Sequence, residues 1–312
     1  MITFEDKSIV LQPGQTVLAG LEAAGVEVET SCRAGVCQSC LMQVTDGAPT
    51  KRSQQGLSPA QLAQGLFMPC VCTPEADMTI ARAGSAHQRV EAEVQSLEPL
   101  SDTVLRVRLK PLEAFAWRPG QFVRLITEDG LVRSYSIAST PDLAEVVELH
   151  VRVIPGGKMS GRLKDSTRPG DRLTVSGPSG GCTYDGVQAD QPLILAGAGT
   201  GLAPLWGVLH EALARGHRGP ITLYHGALDA DGLYLQAELE ALAARHQNFT
   251  YRPCLMDRGE DMLAIVRAHT ELKGAGIYLC GDAPLVEKLR KALFLAGARL
   301  ADIRADAFAA AA

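Results

Sequence analysis

The stretch SCRAGVCQSC at residues 31–40 gathers three cysteines in a short segment that also contains glycine. Cys32, Cys37 and Cys40 follow the spacing C-x4-C-x2-C, and Cys70 comes further along the chain. In a reducing compartment, clustered cysteines more often bind metal or take part in redox chemistry than form disulfides. Small residues between the cysteines let the backbone wrap closely, so that several sulfur atoms can converge. The stretch therefore predicts a loop that holds a metal centre through thiolates.

Together with FMPC at residues 67–70, the stretch resembles the plant-type [2Fe-2S] ferredoxin domain. The resemblance implies an iron-sulfur cluster with the ligands Cys32, Cys37, Cys40 and Cys70. Zinc is the alternative metal, although a structural zinc site prefers paired C-x2-C units and Cys37 with Cys40 forms the one such pair. Cys72 is expected to be a bystander, because it points away from Cys70 on an extended chain.

Gln38 departs from the ferredoxin pattern, which commonly has glycine at this position. If the loop requires a positive φ there, Gln38 is strained, because side chains rarely adopt that region. The departure bears on the geometry of the loop and not on the identity of the ligands.

A second motif, RSYS at residues 133–136, ends an expected strand. It resembles the Arg-x-Tyr-Ser motif of the ferredoxin-NADP reductase superfamily. The resemblance implies that Arg133 binds the pyrophosphate of FAD through its fork of donors, that Tyr135 packs on the flavin ring, and that Ser136 hydrogen-bonds near the flavin N5. The alternative for such a short match is a half-buried pair of strand residues.

The segment PGGKMS at residues 155–160 is expected to open a short helix that runs from residue 159 to 165. Unpaired N–H groups and the helix dipole at such a start favour a phosphate. In the superfamily this element serves the flavin pyrophosphate, which assigns Gly157, Met159 and Ser160 to FAD. An ordinary loop with a capped helix is the alternative.

A nicotinamide site is indicated by GAGTGLAP at residues 197–204, which follows an expected buried strand. Glycines allow the backbone to approach a pyrophosphate at the start of a helix. The segment resembles the Gly-x-Gly-Thr-Gly-x-Ala-Pro version found in the reductase superfamily. The residues assigned to the dinucleotide are Gly197, Gly199, Thr200 and Gly201.

The strand that ends near Asp229 predicts a preference for NADH. A carboxylate at the end of the second strand of such a domain can accept hydrogen bonds from both ribose hydroxyls and repels a 2′-phosphate. A solvated turn residue is the alternative role for Asp229.

Two further resemblances concern the reacting atoms. CGDAP at residues 280–284 is similar to the Cys-Gly-x-x-Pro segment of the superfamily, which places Cys280 beside the nicotinamide C4 and Gly281 next to it. Phe308 resembles the terminal aromatic residue that shields the flavin ring; the alternative is a hydrophobic plug for the C-terminal helix. The expected catalytic residues are therefore Ser136, Cys280 and Phe308.

Composition and periodicity give the rest of the organisation. The chain has 312 residues and a formal net charge of −5, is 46% hydrophobic and 21% charged, and has a mean hydropathy of +0.05. These values exclude a disordered or collagen-like chain and a generally basic surface of the kind that binds nucleic acid. We expect no signal peptide, no membrane partner and a cytoplasmic location.

Alternating apolar residues predict the antiparallel strands of a small closed barrel. These strands cover residues 90–97, 103–109, 122–126, 132–137, 146–153 and 172–175. Further on, strands alternate with helices, which is typical of a parallel sheet with crossover helices. The strands are expected at residues 193–195, 221–224 and 277–279, and the helices at 203–214, 235–245 and 284–296.

The expected fold class is therefore multi-domain, α+β and α/β. It combines a β-grasp ferredoxin domain at residues 1–84, an antiparallel β-barrel flavin domain at 85–185, and a Rossmann-like parallel-sheet nucleotide domain at 186–312.

This order of domains is similar to that of the reductase component of bacterial aromatic-ring-hydroxylating dioxygenases. The resemblance implies that hydride passes from NADH to FAD, and that single electrons pass through the [2Fe-2S] cluster to a separate oxygenase component or an intermediary ferredoxin. Reductases of di-iron monooxygenases and of a deoxysugar dehydratase share the same order and remain alternatives. A flavin reductase with a structural zinc module and a redox sensor are alternatives from other classes.

Overall fold

The computed structural model describes residues 1–28, 30, 32–36, 38–57, 59–83, 88–143 and 145–308, with the backbone alone for residues 59, 60 and 141. Of the expected site residues, Cys37 lies outside the described ranges, as does the expected boundary at residues 84–85. Within these ranges the chain forms three β-sheets, which we call the first sheet, the barrel and the parallel sheet.

The first sheet is mixed and carries one helix against its apolar side. Its elements are β1 (Ile2–Phe4), β2 (Lys7–Ile9), α1 (Val17–Ala23), β3 (Met42–Asp46), α2 (Pro59–Ala63), β4 (Leu66–Phe67) and β5 (Met78–Arg82). The strand order is β2-β1-β5-β3-β4, with β1 parallel to β5 and the other neighbours antiparallel.

Helix α1 begins where the Thr16 hydroxyl accepts a hydrogen bond from the Ala19 N–H at 3.2 Å. Val17 and Leu21 then lie on one face, one turn apart, and pack on the sheet core beside Phe4. The cysteine loop lies in the chain between α1 and β3.

The barrel is antiparallel and closed. Its elements are β6 (Gln88–Ser101), β7 (Val104–Pro111), β8 (Phe122–Ile126), β9 (Val132–Ser136), β10 (Val147–Arg152), α3 (Lys158–Gly161) and β11 (Arg172–Ser179). The order is β10-β7-β6-β11-β8-β9, and a bridge between Ile137 and Leu149 joins the two ends of the sheet. A single π-helical turn, Arg162–Ser166, continues α3.

The parallel sheet follows. Its elements are β12 (Leu193–Ala198), α4 (Leu202–Ala214), β13 (Ile221–Ala227), α5 (Gln236–Arg245), β14 (Phe249–Leu255), α6 (Met262–Arg267), β15 (Gly276–Asp282), α7 (Ala283–Leu295) and β16 (Ile303–Phe308). The strand order is β14-β13-β12-β15-β16, and each neighbouring pair is parallel. Short 3-10 turns occur at Lys51–Gln54, Pro69–Val71, Pro141–Leu143, Gly199–Gly201, Ala230–Gly232, Met256–Arg258 and Leu300–Asp302.

The expected fold class is confirmed, and two strands of the parallel sheet were missed. β14 and β16 lie at the outer edges of the parallel sheet, where charged residues such as Arg252 and Arg304 interrupt the apolar pattern. Edge strands are covered less than central ones, so their sequences lack the continuous apolar run that marks β12 or β15. Among the helices of the described ranges, none is both long and apolar enough to cross a membrane.

Gly120, just before β8, marks the contact between the barrel and the parallel-sheet region. Its φ is +83°, and a Cβ built there would lie 2.0 Å from the Cys182 carbonyl oxygen and 2.9 Å from Val208. The close approach of these backbones therefore requires glycine.

We predict that Gly120→Ala lowers the free energy of unfolding by about 2 kcal/mol more than Gly130→Ala does. Gly130 is the matched control, because its φ is +80° and nothing lies within 4 Å of its would-be Cβ. In both variants alanine must adopt a left-handed conformation, so the difference between their free energies of unfolding isolates the clash with Cys182. Denaturant titration of both variants measures it, and equal losses contradict the prediction.

Candidate functional site

A cavity of about 620 Å³ lies where the sheets meet. Its lining includes residues of the barrel strand β9, the segment that opens α3, the start of α4, the end of β16 and the cysteine loop. The named lining residues include Cys32, Val36, Phe122, Arg133, Ser134, Tyr135, Ser136, Gly157, Met159, Ser160, Thr200, Asp306 and Phe308. The structure thus brings the flavin motif, part of the nucleotide motif and a cysteine of the loop to one cavity.

Strand β9 carries the expected flavin residues. β8 pairs with it antiparallel, with Val123 opposite Tyr135 and Phe122 opposite Ser136, which fixes the register of the motif. Burial raises the pKa of Tyr135, so its hydroxyl stays protonated. Arg133 donates to the Val132 carbonyl oxygen at 2.7 Å and lines the cavity.

Ser134 gives a test of whether the wall suits a polar ligand. Ser134 is among the residues that line the cavity, and its buried hydroxyl has no hydrogen-bond partner within the described part of the chain. A buried hydroxyl without a partner is unfavourable by about 1–3 kcal/mol, so a ligand that supplies one is favoured. The cavity therefore fits a group that brings hydrogen-bonding atoms to β9, as FAD does.

Asp306 was missed by the sequence analysis and meets Ser136 in this cavity. The Ser136 hydroxyl donates to Asp306 Oδ2 at 2.6 Å. Burial raises the pKa of Asp306 to about 6, and the hydrogen bond from Ser136 lowers it by a smaller amount. The segment ADAF at residues 305–308 could have indicated Asp306 from the sequence. Asp306 and Phe308 are two residues apart, so on a strand their side chains lie on the same face.

The segment before α3 is built for close approach. α3 spans Lys158–Gly161, with Gly157 as its N-cap, so the helix begins one residue before the expected start. A Cβ on Gly157 would lie 2.5 Å from Ser160 Oγ and 2.9 Å from the Ile154 carbonyl oxygen. Ser160 Oγ accepts a hydrogen bond from the Ile154 N–H at 3.2 Å. Met159 packs in the barrel core and is also one of the residues that line the cavity.

The glycines of the nucleotide motif differ in what they do. β12 ends at Ala198, and Gly199–Gly201 form a 3-10 turn into α4. A Cβ on Gly201 would lie 2.2 Å from the Cys280 carbonyl oxygen, and one on Gly197 would lie 2.8 Å from the Gly201 carbonyl oxygen. Gly199 has open space and a φ of +54°. The turn therefore packs directly on β15, and the adjoining residue Thr200 reaches the cavity.

Cys280 and Gly281 lie near the end of β15, between the other parts of the site. Cys280 stands opposite Gly197 on β12 and opposite Asp306 on β16. Its side chain is buried, its Sγ is 3.5 Å from Cys182 Sγ, and burial raises the pKa of the thiol. In the described structure the thiol faces Cys182, and Cys280 is not among the lining residues named above.

Asp229 lies apart from the cavity lining, on the surface after β13. It is exposed, and its carboxylate accepts from the Gly232 N–H at 3.1 Å, which caps the turn Ala230–Gly232. The capping bond accounts for the turn role, and the exposed carboxylate also remains open to a ribose. Phe308 is half-buried at the end of β16 and lines the cavity.

The described cysteines of the loop are buried. Cys32 and Cys70 are each 8% exposed and Cys40 is 4% exposed. The Ala34 N–H donates to Cys32 Sγ at 3.4 Å, a bond that favours the thiolate form that metal ligands need. Cys72 packs instead in the core of the first sheet. The donor set thus fits an iron-sulfur cluster, although, of the described residues, no three of His, Cys, Asp and Glu form a metal site by themselves.

Gln38, which stands where the ferredoxin pattern commonly has glycine, adopts the left-handed conformation. Its φ is +55°, and the Arg33 φ is +51°. The Gln38 side chain is 4% exposed; its Nε2 donates to the Gly56 carbonyl oxygen at 3.1 Å, and its Oε1 accepts from Gln61 Nε2 at 3.0 Å. These bonds offset a strain of order 1 kcal/mol and hold the loop against α2 and the segment that precedes it.

A buried polar pair connects the barrel with the parallel-sheet region behind the cavity. His150 Nε2 lies 3.1 Å from Glu148 Oε1, and Nδ1 lies 3.2 Å from the Tyr234 hydroxyl. Burial lowers the pKa of His150 despite the adjacent carboxylate, so the ring is neutral, donates to Glu148 and accepts from Tyr234. The sequence analysis treated no histidine as a site residue, and this one lines the cavity.

Comparison with known proteins agrees with this geometry. The family of 2Fe-2S iron-sulfur cluster binding domains matches residues 2–75, that of oxidoreductase FAD-binding domains matches 91–184, and that of oxidoreductase NAD-binding domains matches 195–291.

Among curated relatives, the reductase subunit of an aromatic O-demethylase from Amycolatopsis sp. is 33% identical over 295 residues, covering 88% of each chain. Reductase component 2 of terephthalate 1,2-dioxygenase from Comamonas sp. is 31% identical, covering 95% of this chain and 93% of that one. The crystal structure of an Amycolatopsis cytochrome P450 reductase matches with a TM-score of 0.70 and 31% identity, covering 98% of both chains.

The fold and the site define an oxidoreductase with binding domains for FAD, NAD and a [2Fe-2S] cluster. The chain belongs to the family of iron-sulfur flavoprotein reductases that includes these reductase components.

We predict that Asp306→Asn removes a pH-dependent loss of stability from the flavin-free protein. Because the folded pKa of Asp306 is raised to about 6 from 3.8, the folded state binds the proton more tightly. The protonated carboxyl of Asp306 stabilises the folded state fully below about pH 4, and this stabilisation is lost as the pH rises from about 4 through 6. Relative to the variant, the free energy of unfolding falls by an amount on the order of 2 to 3 kcal/mol.

Urea unfolding of wild type and Asp306→Asn between pH 4 and 8 measures this change. Asp302→Asn is the matched control on the same tail, since the hydrogen bond from Arg299 lowers the pKa of Asp302 and gives the opposite pH sense. A wild-type stability that does not fall relative to that of Asp306→Asn between pH 4 and 6 contradicts the prediction.

Proposed function

We propose that this chain delivers electrons from NADH, by way of FAD and the [2Fe-2S] cluster, to a separate oxygenase component or to a ferredoxin that serves it. The observation that carries the proposal is the shared cavity, where Cys32 of the cysteine loop and Tyr135 of the flavin motif line the same space. Two relatives favour a ring-hydroxylating dioxygenase as the acceptor: a reductase component of terephthalate 1,2-dioxygenase and the electron transfer component of toluate 1,2-dioxygenase.

FAD, when bound, takes two electrons from a nicotinamide and passes them on one at a time. We assign its pyrophosphate to the Arg133 guanidinium and to the segment with Gly157, Met159 and Ser160, where donors and a helix start meet. Tyr135 would pack on the ring, and Phe308 would cover it from β16.

Ser136 and Asp306 would orient the reacting edge of the flavin. The Ser136 hydroxyl is held at 2.6 Å by Asp306 Oδ2, so its oxygen lone pairs face other partners in the cavity. With a pKa near 6, Asp306 can hold or give up a proton at Oδ2 around neutral pH.

The nicotinamide dinucleotide would lie along the turn before α4. Gly201 lets the turn pack on β15, Gly197 leaves room for the turn beside β12, and the N–H groups at the start of α4 favour a pyrophosphate. Gly199 and Thr200 would bind there as well. Cys280 and Gly281, at the end of β15 beside this turn, would border the nicotinamide.

The cluster ligands in this proposal are Cys32, Cys37, Cys40 and Cys70. We also propose domain boundaries near residues 84 and 185, which fall between the matched families. A cytoplasmic location is proposed on the spacing of the cysteines, since in a reducing compartment clustered cysteines more often bind metal than form disulfides.

We predict that the loaded protein contains two irons and two acid-labile sulfides per chain, as a [2Fe-2S] cluster requires. Anaerobic NADH should lower the flavin and iron-sulfur absorption bands together. Cys40→Ser should lose the iron-sulfur bands and keep the flavin response, whereas Cys72→Ser, in the core of the first sheet, should keep both. One zinc per chain without sulfide would instead establish the flavin reductase with a zinc module.

We predict that Asp229→Ala lowers the preference for NADH over NADPH, expressed as a ratio of kcat/KM values, by at least about tenfold. The loss follows because the carboxylate no longer accepts from the ribose or repels a 2′-phosphate. Asp231→Ala, which removes an exposed carboxylate from the same turn, is the control and should leave the ratio within about twofold. Initial rates with both dinucleotides measure the ratio, and an unchanged ratio in Asp229→Ala refutes this role.

A further inference from the structure

Arg124 is a buried cation at the contact between the barrel and the cysteine loop. It lies in the middle of β8, is 4% exposed, and points its guanidinium to two oxygen atoms. Nη2 donates to the Ser176 hydroxyl at 2.7 Å, and Nη1 donates to the Ser39 carbonyl oxygen at 3.2 Å. Ser176 belongs to the barrel strand β11, whereas Ser39 belongs to the cysteine loop. One side chain therefore spans the two parts of the molecule.

The register of β8 explains why this arginine faces outward. Val123 and Leu125 point into the barrel core, so Arg124 points to the opposite side of the strand. On that strand it stands opposite Ser134 of β9 and Ser176 of β11. Arg124 is thus fixed to the strand beside the flavin motif, and its position does not depend on a flexible surface loop.

The atom that Arg124 contacts is one peptide bond from an expected cluster ligand. The Ser39 carbonyl belongs to the peptide group whose N–H is that of Cys40, and both residues are buried. The preceding residue, Gln38, is held on the other side by the carbonyl oxygen of Gly56, in the segment that precedes α2. Residues 38–40 are therefore held between that segment and the barrel, with Gln38 in its left-handed conformation.

Burying a guanidinium is costly, and hydrogen bonds to two oxygen atoms offset part of that cost. A positive charge in such a low-dielectric position acts strongly on nearby charge. A centre that gains an electron becomes more negative, so a buried cation beside it favours the reduced form. Hydrogen bonds and charge around the ligands are known means by which a protein sets the potential of a metal centre.

We propose that Arg124 is a positioning residue that fastens the cluster-binding loop to the flavin barrel and, through its charge, makes the cluster easier to reduce. The proposal rests on the proposed function, in which Cys40 is a cluster ligand. It assigns to a barrel residue control over the step that follows flavin reduction.

The test is an anaerobic redox titration of the full-length, loaded protein, followed by electron paramagnetic resonance of the reduced cluster. At a fixed solution potential, Arg124→Gln should lower the ratio of reduced to oxidised cluster about tenfold, which corresponds to a midpoint about 59 mV more negative for a one-electron couple. Arg172→Gln is the matched control, because it removes the same charge from an exposed barrel position paired with Glu91. The control should change the ratio less than about twofold.

Arg124→Lys separates the two parts of the proposal. It keeps the charge and should keep the ratio within about threefold of wild type, but a single ammonium cannot hold Ser39 and Ser176 in the same fork. Amide hydrogen exchange of residues 38–41 should therefore quicken about tenfold in Arg124→Lys and in Arg124→Gln, and stay unchanged in Arg172→Gln.

An Arg124→Gln protein with the wild-type midpoint overturns the proposal, and so does an equal shift in Arg172→Gln. If Arg124→Gln does not retain iron, Arg124→Lys decides: a retained cluster with near-wild-type midpoint supports the role of the charge, and loss of the cluster or a tenfold fall in the ratio overturns it. Iron and sulfide content of the wild type tests the proposed function separately, since its failure removes the cluster from every variant.

Discussion

The hydrogen bond from the Ser136 hydroxyl to Asp306 Oδ2 joins the last strand of the parallel sheet to the flavin strand of the barrel. It sets β16 against β9, so the tail with Phe308 lies over the cavity. Because the carboxylate is buried, the hydrogen bond from Ser136 lowers the free-energy cost of its charge. The rest of the site depends on this contact, since the flavin motif and the nucleotide motif belong to different sheets.

Buried polar contacts recur wherever one part of the molecule meets another. Arg124 reaches the Ser39 carbonyl, and His150 connects Glu148 with Tyr234. Unpaired polar groups of this kind are unfavourable when buried, so each bond also selects one relative placement of the two surfaces. Apolar packing fills the sheets' own cores, and these directional bonds specify how the cores are arranged around the cavity.

Close backbone approach is the second constraint on the site. Gly120 and Gly201 lie where a Cβ would be about 2 Å from a carbonyl oxygen of another segment. Gln38, by contrast, keeps a side chain in a left-handed conformation and uses it for hydrogen bonds to Gly56 and Gln61. The molecule thus resolves crowding by removing the side chain at two positions and accepts local strain at a third, where the side chain holds the loop.

The order of the three folds and the motifs can be read from the amino-acid sequence, because alternating apolar residues, glycine turns and cysteine spacing are local patterns. The sequence predicted the barrel strands and the central strands of the parallel sheet, and it marked Gln38 as the residue that is strained if the loop requires a positive φ. Asp306, Arg124 and the outer strand β16 could not be found from the sequence, because their partners are far away in the chain. Asp306 lies 170 residues from Ser136, and Arg124 lies 85 residues from Ser39. Which motifs share one cavity follows only from the folded chain, because their placement depends on contacts between sheets and not on any period within a strand.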